Sequence, residues 1–117
     1  MDLSKLRGIC GTGEGFDEDL LVQLLAMFLA DNRERVAALR SAVEAHDVAQ
    51  TRRVAHTLGG SAGTAGAMTL CGMARAVESL AVDGKLPDPA AVTAIEAEFA
   101  RVEAVMRTSY PAINPTA

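Results

Sequence analysis

Apolar side chains recur along this chain at three- and four-residue steps, the spacing of helices that each bury one stripe. The first such stretch places Leu21, Leu24, Phe28, Leu39 and Val43 inward and predicts a helix from an N-cap at Asp17 to about Ala45. Phe16 and Leu21 are spaced as a hydrophobic staple around that cap. A second apolar strip, Val22, Ala26 and Leu29, runs off the main stripe in the first half of this helix. It is either covered by the N-terminal segment or left open for a partner. The next helix spans roughly 48–65, with Ala55, Leu58, Ala62 and Ala65 as its buried stripe. A third spans about 67–83, with Leu70, Ala74, Val77 and Ala81 inward and Gly84 as its stop. Pro87-Asp88-Pro89 reads as a loop residue, an N-cap and a first-turn proline. The fourth helix follows, with Val92, Ile95, Phe99, Val102 and Met106 at seam spacing.

Four amphipathic helices joined by short turns predict an all-α fold, an antiparallel four-helix bundle over residues 16–110. Residues 1–15 form a lead-in, helical around Leu3, Leu6 and Ile9 or irregular, ending in Gly11-Thr12-Gly13-Glu14-Gly15. Residues 111–117, with Pro111 and Pro115, read as a loose tail. A chain of 117 residues has room for one core. Alanine dominates its apolar set and the aromatics are only Phe16, Phe28, Phe99 and Tyr110, which suits close helix–helix packing better than a sheet.

Charge and cysteine usage narrow the functional classes. A formal net charge of −4 argues against nucleic acid, which requires a basic footprint. No apolar run approaches the ~20 residues of a membrane span. Met1-Asp2-Leu3-Ser4-Lys5 carries no apolar signal core, so a cytoplasmic protein is expected. Cys10 and Cys71 make neither a disulfide framework nor a metal set, and reduced thiols are the expectation. Cys71 and Met73 read as core or boundary fillers, and His46 beside Asp47 as ordinary surface.

The chemistry-bearing segment is Arg52-Arg53-Val54-Ala55-His56-Thr57-Leu58-Gly59-Gly60-Ser61-Ala62-Gly63. At about 100° per residue His56 falls opposite the buried stripe, beside Arg53 and Gly60, with Arg52, Gly59 and Gly63 flanking that face. An exposed imidazole then has cations one turn before it and bare backbone one turn after it. Each interior glycine costs a helix roughly 1 kcal/mol relative to alanine, and such breaks of a local rule tend to mark functional sites. Gly63 and Gly66 carry a second reading, as the helix end with Gly66 as left-handed cap. Gly59-Gly60-Ser61-Ala62-Gly63-Thr64 lacks the Lys-Ser/Thr ending and preceding strand of a nucleotide loop. No Ser-His-acid set is placed by the sequence, so a self-sufficient hydrolase is not expected.

The segment His56 to Gly63, continuing through Gly66-Ala67 and Leu70 to Val77-Glu78, resembles the histidine-containing phosphotransfer (HPt) domains of two-component phosphorelays. Upstream, Leu24-Leu25 and Phe28-Leu29-Ala30-Asp31 resemble the long helix that precedes the active-site helix in that family. The resemblance implies a helical bundle that accepts a phosphoryl group on His56 from one receiver-domain aspartate and yields it to another. It implies no autonomous kinase activity and no cofactor or metal of its own, the magnesium belonging to the receiver. Expected partners are a response-regulator receiver domain and a hybrid histidine kinase, met by a monomer. The family pattern His-x-x-Lys-Gly-Ser has Gly59 at its Lys position here, while Gly60 and Ser61 are kept. By motif position Glu78 would hold the second ring nitrogen, and Arg52 and Arg53 become candidates for the phosphoryl oxygens. Gly60, Gly63 and the strip Val22, Ala26, Leu29 are the expected docking surface. The alternative function is a bundle that binds a receiver or kinase as a regulator without relaying phosphate, which the missing Lys makes credible.

Overall fold

In the computed structural model residues 17–113 are described. They form four helices and no strand: α1 (Glu18–Glu44), α2 (Val48–Thr64), α3 (Met68–Val82) and α4 (Pro89–Ser109). The starts are set by aspartates. Asp17, Asp47 and Asp88 each accept a hydrogen bond from a backbone N–H of the first turn (Leu20, Gln50 and Ala90), and Pro89 follows Asp88 as read from the sequence.

The ends of α1, α2 and α3 share one device. After each helix a left-handed residue lets two N–H groups turn back onto the last carbonyls. Gly66 donates to Gly63 O and Ala67 to Ala62 O; Gly84 donates to Ala81 O and Lys85 to Leu80 O. Gly66 and Gly84 have φ of 79° and 76°. At the end of α1 the same place is held by His46 at φ 57°, donating to Val43 O while Asp47 donates to Ala42 O. His46, read as ordinary surface, thus has a structural place that usually falls to glycine. Asp47 closes α1 and caps α2, so the connection is only three residues long.

Each helix contacts its two neighbours around a closed ring, α2 and α3 most closely of all. The core contains the predicted Ala55, Leu58, Ala62 and Ala65 of α2, Leu70, Ala74, Val77 and Ala81 of α3, and Val92, Ile95, Phe99, Val102 and Met106 of α4. In α1 the register differs at one place. Leu25 is fully buried, whereas Leu24, expected inward, is only partly buried against the core. The stripe steps Leu21, Leu25, Phe28, Asn32, Val36, Leu39, Val43, so a helical step of four, not three, follows Leu21. Leu29 is buried in the core, and Val22 and Ala26 pack partly against it. Residues 111–113, expected in the loose tail, are tied to the bundle: Ile113 donates to Tyr110 O, and both side chains are buried in the core. The lead-in 1–15, Cys10, and Phe16 of the staple lie outside the described residues.

Asn32 is the polar member of the α1 stripe and is fully buried. Its Nδ2 donates to Phe28 O and to Ser61 Oγ of α2, both at 2.9 Å, and its Oδ1 accepts from Arg35. On the opposite side Arg40 makes a two-pronged contact with Glu96 of α4, at 2.7 and 2.8 Å. Removing one side of a buried hydrogen bond, so that its partner is left unsatisfied, costs about 1–3 kcal/mol. Asn32→Ala should therefore lower the unfolding free energy by about 1–3 kcal/mol in urea denaturation with helical content retained. A change under about 0.5 kcal/mol would show that the α1–α2 bridge contributes nothing beyond an average surface position.

Candidate functional site

His56 projects from the middle of α2 on the side away from Ala55, Leu58 and Ala62, as the wheel predicts. Its side chain is 66% exposed. Its Nδ1 lies 2.7 Å from Oε2 of Glu78, which α3 presents from beside the buried Val77. The Glu78 side chain is largely sheltered, 19% exposed, and its second oxygen, Oε1, accepts from Nη1 of Arg75 at 3.1 Å. Partial burial raises the Glu78 carboxyl pKa, but the hydrogen bonds and charges of His56 and Arg75 outweigh it and leave the group below the usual carboxylate range.

An ionised carboxylate only accepts hydrogen bonds, so the contact requires the proton on Nδ1 of the neutral ring. The lone pair is then on Nε2, which has no partner among the described residues. His56 borders an open hollow of about 420 Å³ lined also by Ala49, Arg52, Arg53, Thr57 and Glu78. Both arginines are exposed; Arg53 donates through Nε and Nη2 to Oε1 of Gln50, at 3.1 and 2.7 Å. Thr57, which the sequence reading did not single out, donates to Arg53 O and completes the wall.

The glycines and Ser61 separate into three environments. At Gly60 an added Cβ would meet nothing within 4 Å, so this is the bare, solvent-facing position that was expected. Gly59 is buried instead of flanking the open face: its Cβ would stand 3.4 Å from Arg75 Nε and 3.5 Å from Ala74 Cβ of α3. Gly63 likewise turns toward α3, with Cys71 Sγ at 3.4 Å. Ser61 faces α1, where its hydroxyl accepts from Asn32, and it does not share the hollow with His56. It lines a second depression between α1 and α2 together with Leu24, Met27, Phe28, Asp31, Thr64 and Ala65. Met27 is 59% exposed, so the open apolar face of α1 is formed by Leu24 and Met27 and not by Leu29.

Arg75 was missed by sequence reading. Its position three residues before Glu78 on one helix was a usable signal, since such pairs meet on a helix surface. Among the described residues no group of three or more His, Cys, Asp or Glu side chains could hold a metal ion, and no helix is long and apolar enough to cross a membrane.

The arrangement, an exposed imidazole with one nitrogen held by Glu78 and two arginines lining the same hollow, suits reversible transfer of a small anionic group. A sequence profile of the Hpt domain matches residues 23–105. None of the curated proteins compared with the chain matches it. Among solved structures the chain is similar to histidine-containing phosphotransfer protein B (HptB) from Pseudomonas aeruginosa PAO1, at 30% sequence identity and a TM-score of 0.80, over 92% of this chain and 88% of that one. With its bundle, its exposed histidine and the profile match agreeing over most of its length, the chain belongs to the Hpt family, the histidine phosphotransfer proteins of two-component phosphorelays.

Proposed function

We propose that His56 is the phosphoryl acceptor of this phosphorelay protein, loaded from the aspartyl phosphate of one receiver domain and discharged to the aspartate of another. The observation that carries this reading is the Nδ1–Glu78 hydrogen bond of 2.7 Å, which leaves Nε2 as the free nucleophile. In the forward step the Nε2 lone pair attacks phosphorus, the N–P bond forms, and the P–O bond to the aspartate breaks. The aspartate leaves with the electron pair as a carboxylate. Nδ1 keeps its proton, and the ring becomes a cation beside the Glu78 carboxylate, which stabilises it. The return step reverses these bonds.

Arg52 and Arg53 line the same hollow as His56. Guanidinium groups match phosphoryl oxygens, and a phosphoryl anion is a stronger acceptor than the neutral Gln50 amide that now holds Arg53. The partner lands where backbone is bare, at Gly60, and extends over Leu24 and Met27 between α1 and α2. Receiver domains and a hybrid histidine kinase are its partners in this reading. The chain acts as a cytoplasmic monomer and a carrier without kinase activity of its own.

Incubation with a receiver domain charged by acetyl phosphate, followed by intact mass, tests the assignment. The wild type should gain one phosphoryl group that is acid-labile and base-stable, and His56→Gln should gain none while melting as the wild type does. Label that survives this substitution, or that resides on His46, would place the acceptor elsewhere.

Arg53→Ala should slow loading by roughly tenfold, the worth of one charge-assisted hydrogen bond, without loss of receiver affinity. Equal rates would remove Arg53 from the phosphoryl environment. Gly60→Gln separates docking from folding. Its side chain would meet open space and replace an interior glycine, so unfolding free energy should hold or rise by up to about 1 kcal/mol. Receiver binding and transfer should both weaken. A stable Gly60→Gln protein that transfers normally would show that the partner lands on another face.

A further inference from the structure

Arg75 does not line the hollow that His56 and Glu78 share; it meets Glu78 through the carboxylate oxygen that His56 leaves free. Its side chain crosses the bare backbone of Gly59, with Nε at 3.4 Å and Cδ at 3.5 Å from where a Cβ would be. From there Nη1 reaches Oε1 of Glu78 at 3.1 Å, while Oε2 of the same carboxylate holds Nδ1 of His56 at 2.7 Å. No other partner of Glu78 is present among the described hydrogen bonds and ion pairs of its carboxylate. One hydrogen bond leaves a carboxylate free to swing about its last torsion, because that sp³–sp² rotation is broad. Two bonds, one on each oxygen and from different helices, fix its plane.

We propose that Arg75 is a positioning residue for phosphotransfer: by anchoring Oε1 of Glu78, it keeps the other oxygen on Nδ1 of His56 and so holds the ring in the tautomer whose lone pair is on Nε2. The inference rests on His56 being the acceptor. A histidine in water prefers the opposite tautomer, with the proton on Nε2, where it would block attack. The partner of one ring nitrogen decides which nitrogen carries the proton, so whatever orients that partner controls the nucleophile. Gly59 enters for the same reason. Its missing side chain is the seat across which the Arg75 stem lies, which gives that buried glycine a role distinct from the open Gly60.

The proposal is tested on the full, unphosphorylated chain by long-range proton–nitrogen NMR of the His56 ring at a pH where it is neutral. The wild type should show a protonated Nδ1 and a bare Nε2, and Arg75→Gln should move the population toward the Nε2-protonated form. Loading by phosphoramidate should slow by roughly tenfold in Arg75→Gln, matching the loss of one charged hydrogen bond, and recover for the most part in Arg75→Lys. In a Glu78→Gln background the Arg75→Gln change should have no further effect on tautomer or rate. An unchanged tautomer in Arg75→Gln would overturn the proposal. So would equal slowing in the Glu78→Gln background, because Arg75 would then act on the phosphoryl group directly. If the tautomer responds as expected but His56 takes no phosphoryl group from any donor, the positioning of the ring stands and the acceptor assignment fails.

Discussion

The close approach of α2 to α3 is the constraint on which the site depends. A hydrogen bond of 2.7 Å between His56 and Glu78 is possible only because the helices that carry them meet along a seam of small residues. Gly59 sits against Ala74, and Gly63 against Cys71; Ala55 and Ala62 add no bulk. Interior glycines are unfavourable for an isolated helix. Here that loss is offset by tertiary packing, the larger source of helix stability in proteins. The same small residues that weaken α2 locally let α3 supply the carboxylate.

Stability and chemistry rest on different groups. The core is carried by Leu21, Leu25, Leu58, Leu70, Ile95 and Val102, all essentially inaccessible to solvent. Removing a buried leucine side chain typically costs about 2–5 kcal/mol. His56, Arg75 and Glu78 instead form a chain of exposed and half-sheltered polar contacts, a kind that contributes little to folding. In the proposed transfer their value is orientation. The site can therefore be altered residue by residue while the bundle stands.

Much of the fold was legible because helix boundaries are written in local chemistry. Asp17, Asp88-Pro89 and Gly84 mark two starts and a stop that depend on a few neighbouring residues, whereas the cap at Asp47 was seen only in the structure. The exposure of His56 followed from its angle to Ala55, Leu58 and Ala62. What periodicity could not resolve is which neighbour a flanking residue faces. Helix α2 is packed on two sides, and Gly59 and Ser61 lie on opposite flanks of its buried stripe: one turns to Arg75 of α3, the other to Asn32 of α1. Both belonged to one motif, and only Gly59 lies on the flank that meets Arg75 and, through it, Glu78. Asn32 was missed because it gains its meaning from Ser61 on another helix, and Arg75 because the Glu78 it meets on its own helix matters only through His56 of α2. Leu25 displaced Leu24 from the stripe through a single step of four residues, a choice that both apolar residues permit.

The capping of α2 at both ends has a consequence for the direction in which His56 points. Asp47 fixes where the helix begins and is itself tied to the end of α1, while Gly66 fixes where it stops and delivers the chain to α3. Between these clamps the angular phase of every side chain is a matter of counting. One residue gained or lost between His56 and Gly59 would rotate the imidazole by about 100° relative to the downstream seam, where Gly59 and Gly63 face α3. The direction of the imidazole is thus stored in the length of a segment before any contact with Glu78 refines it.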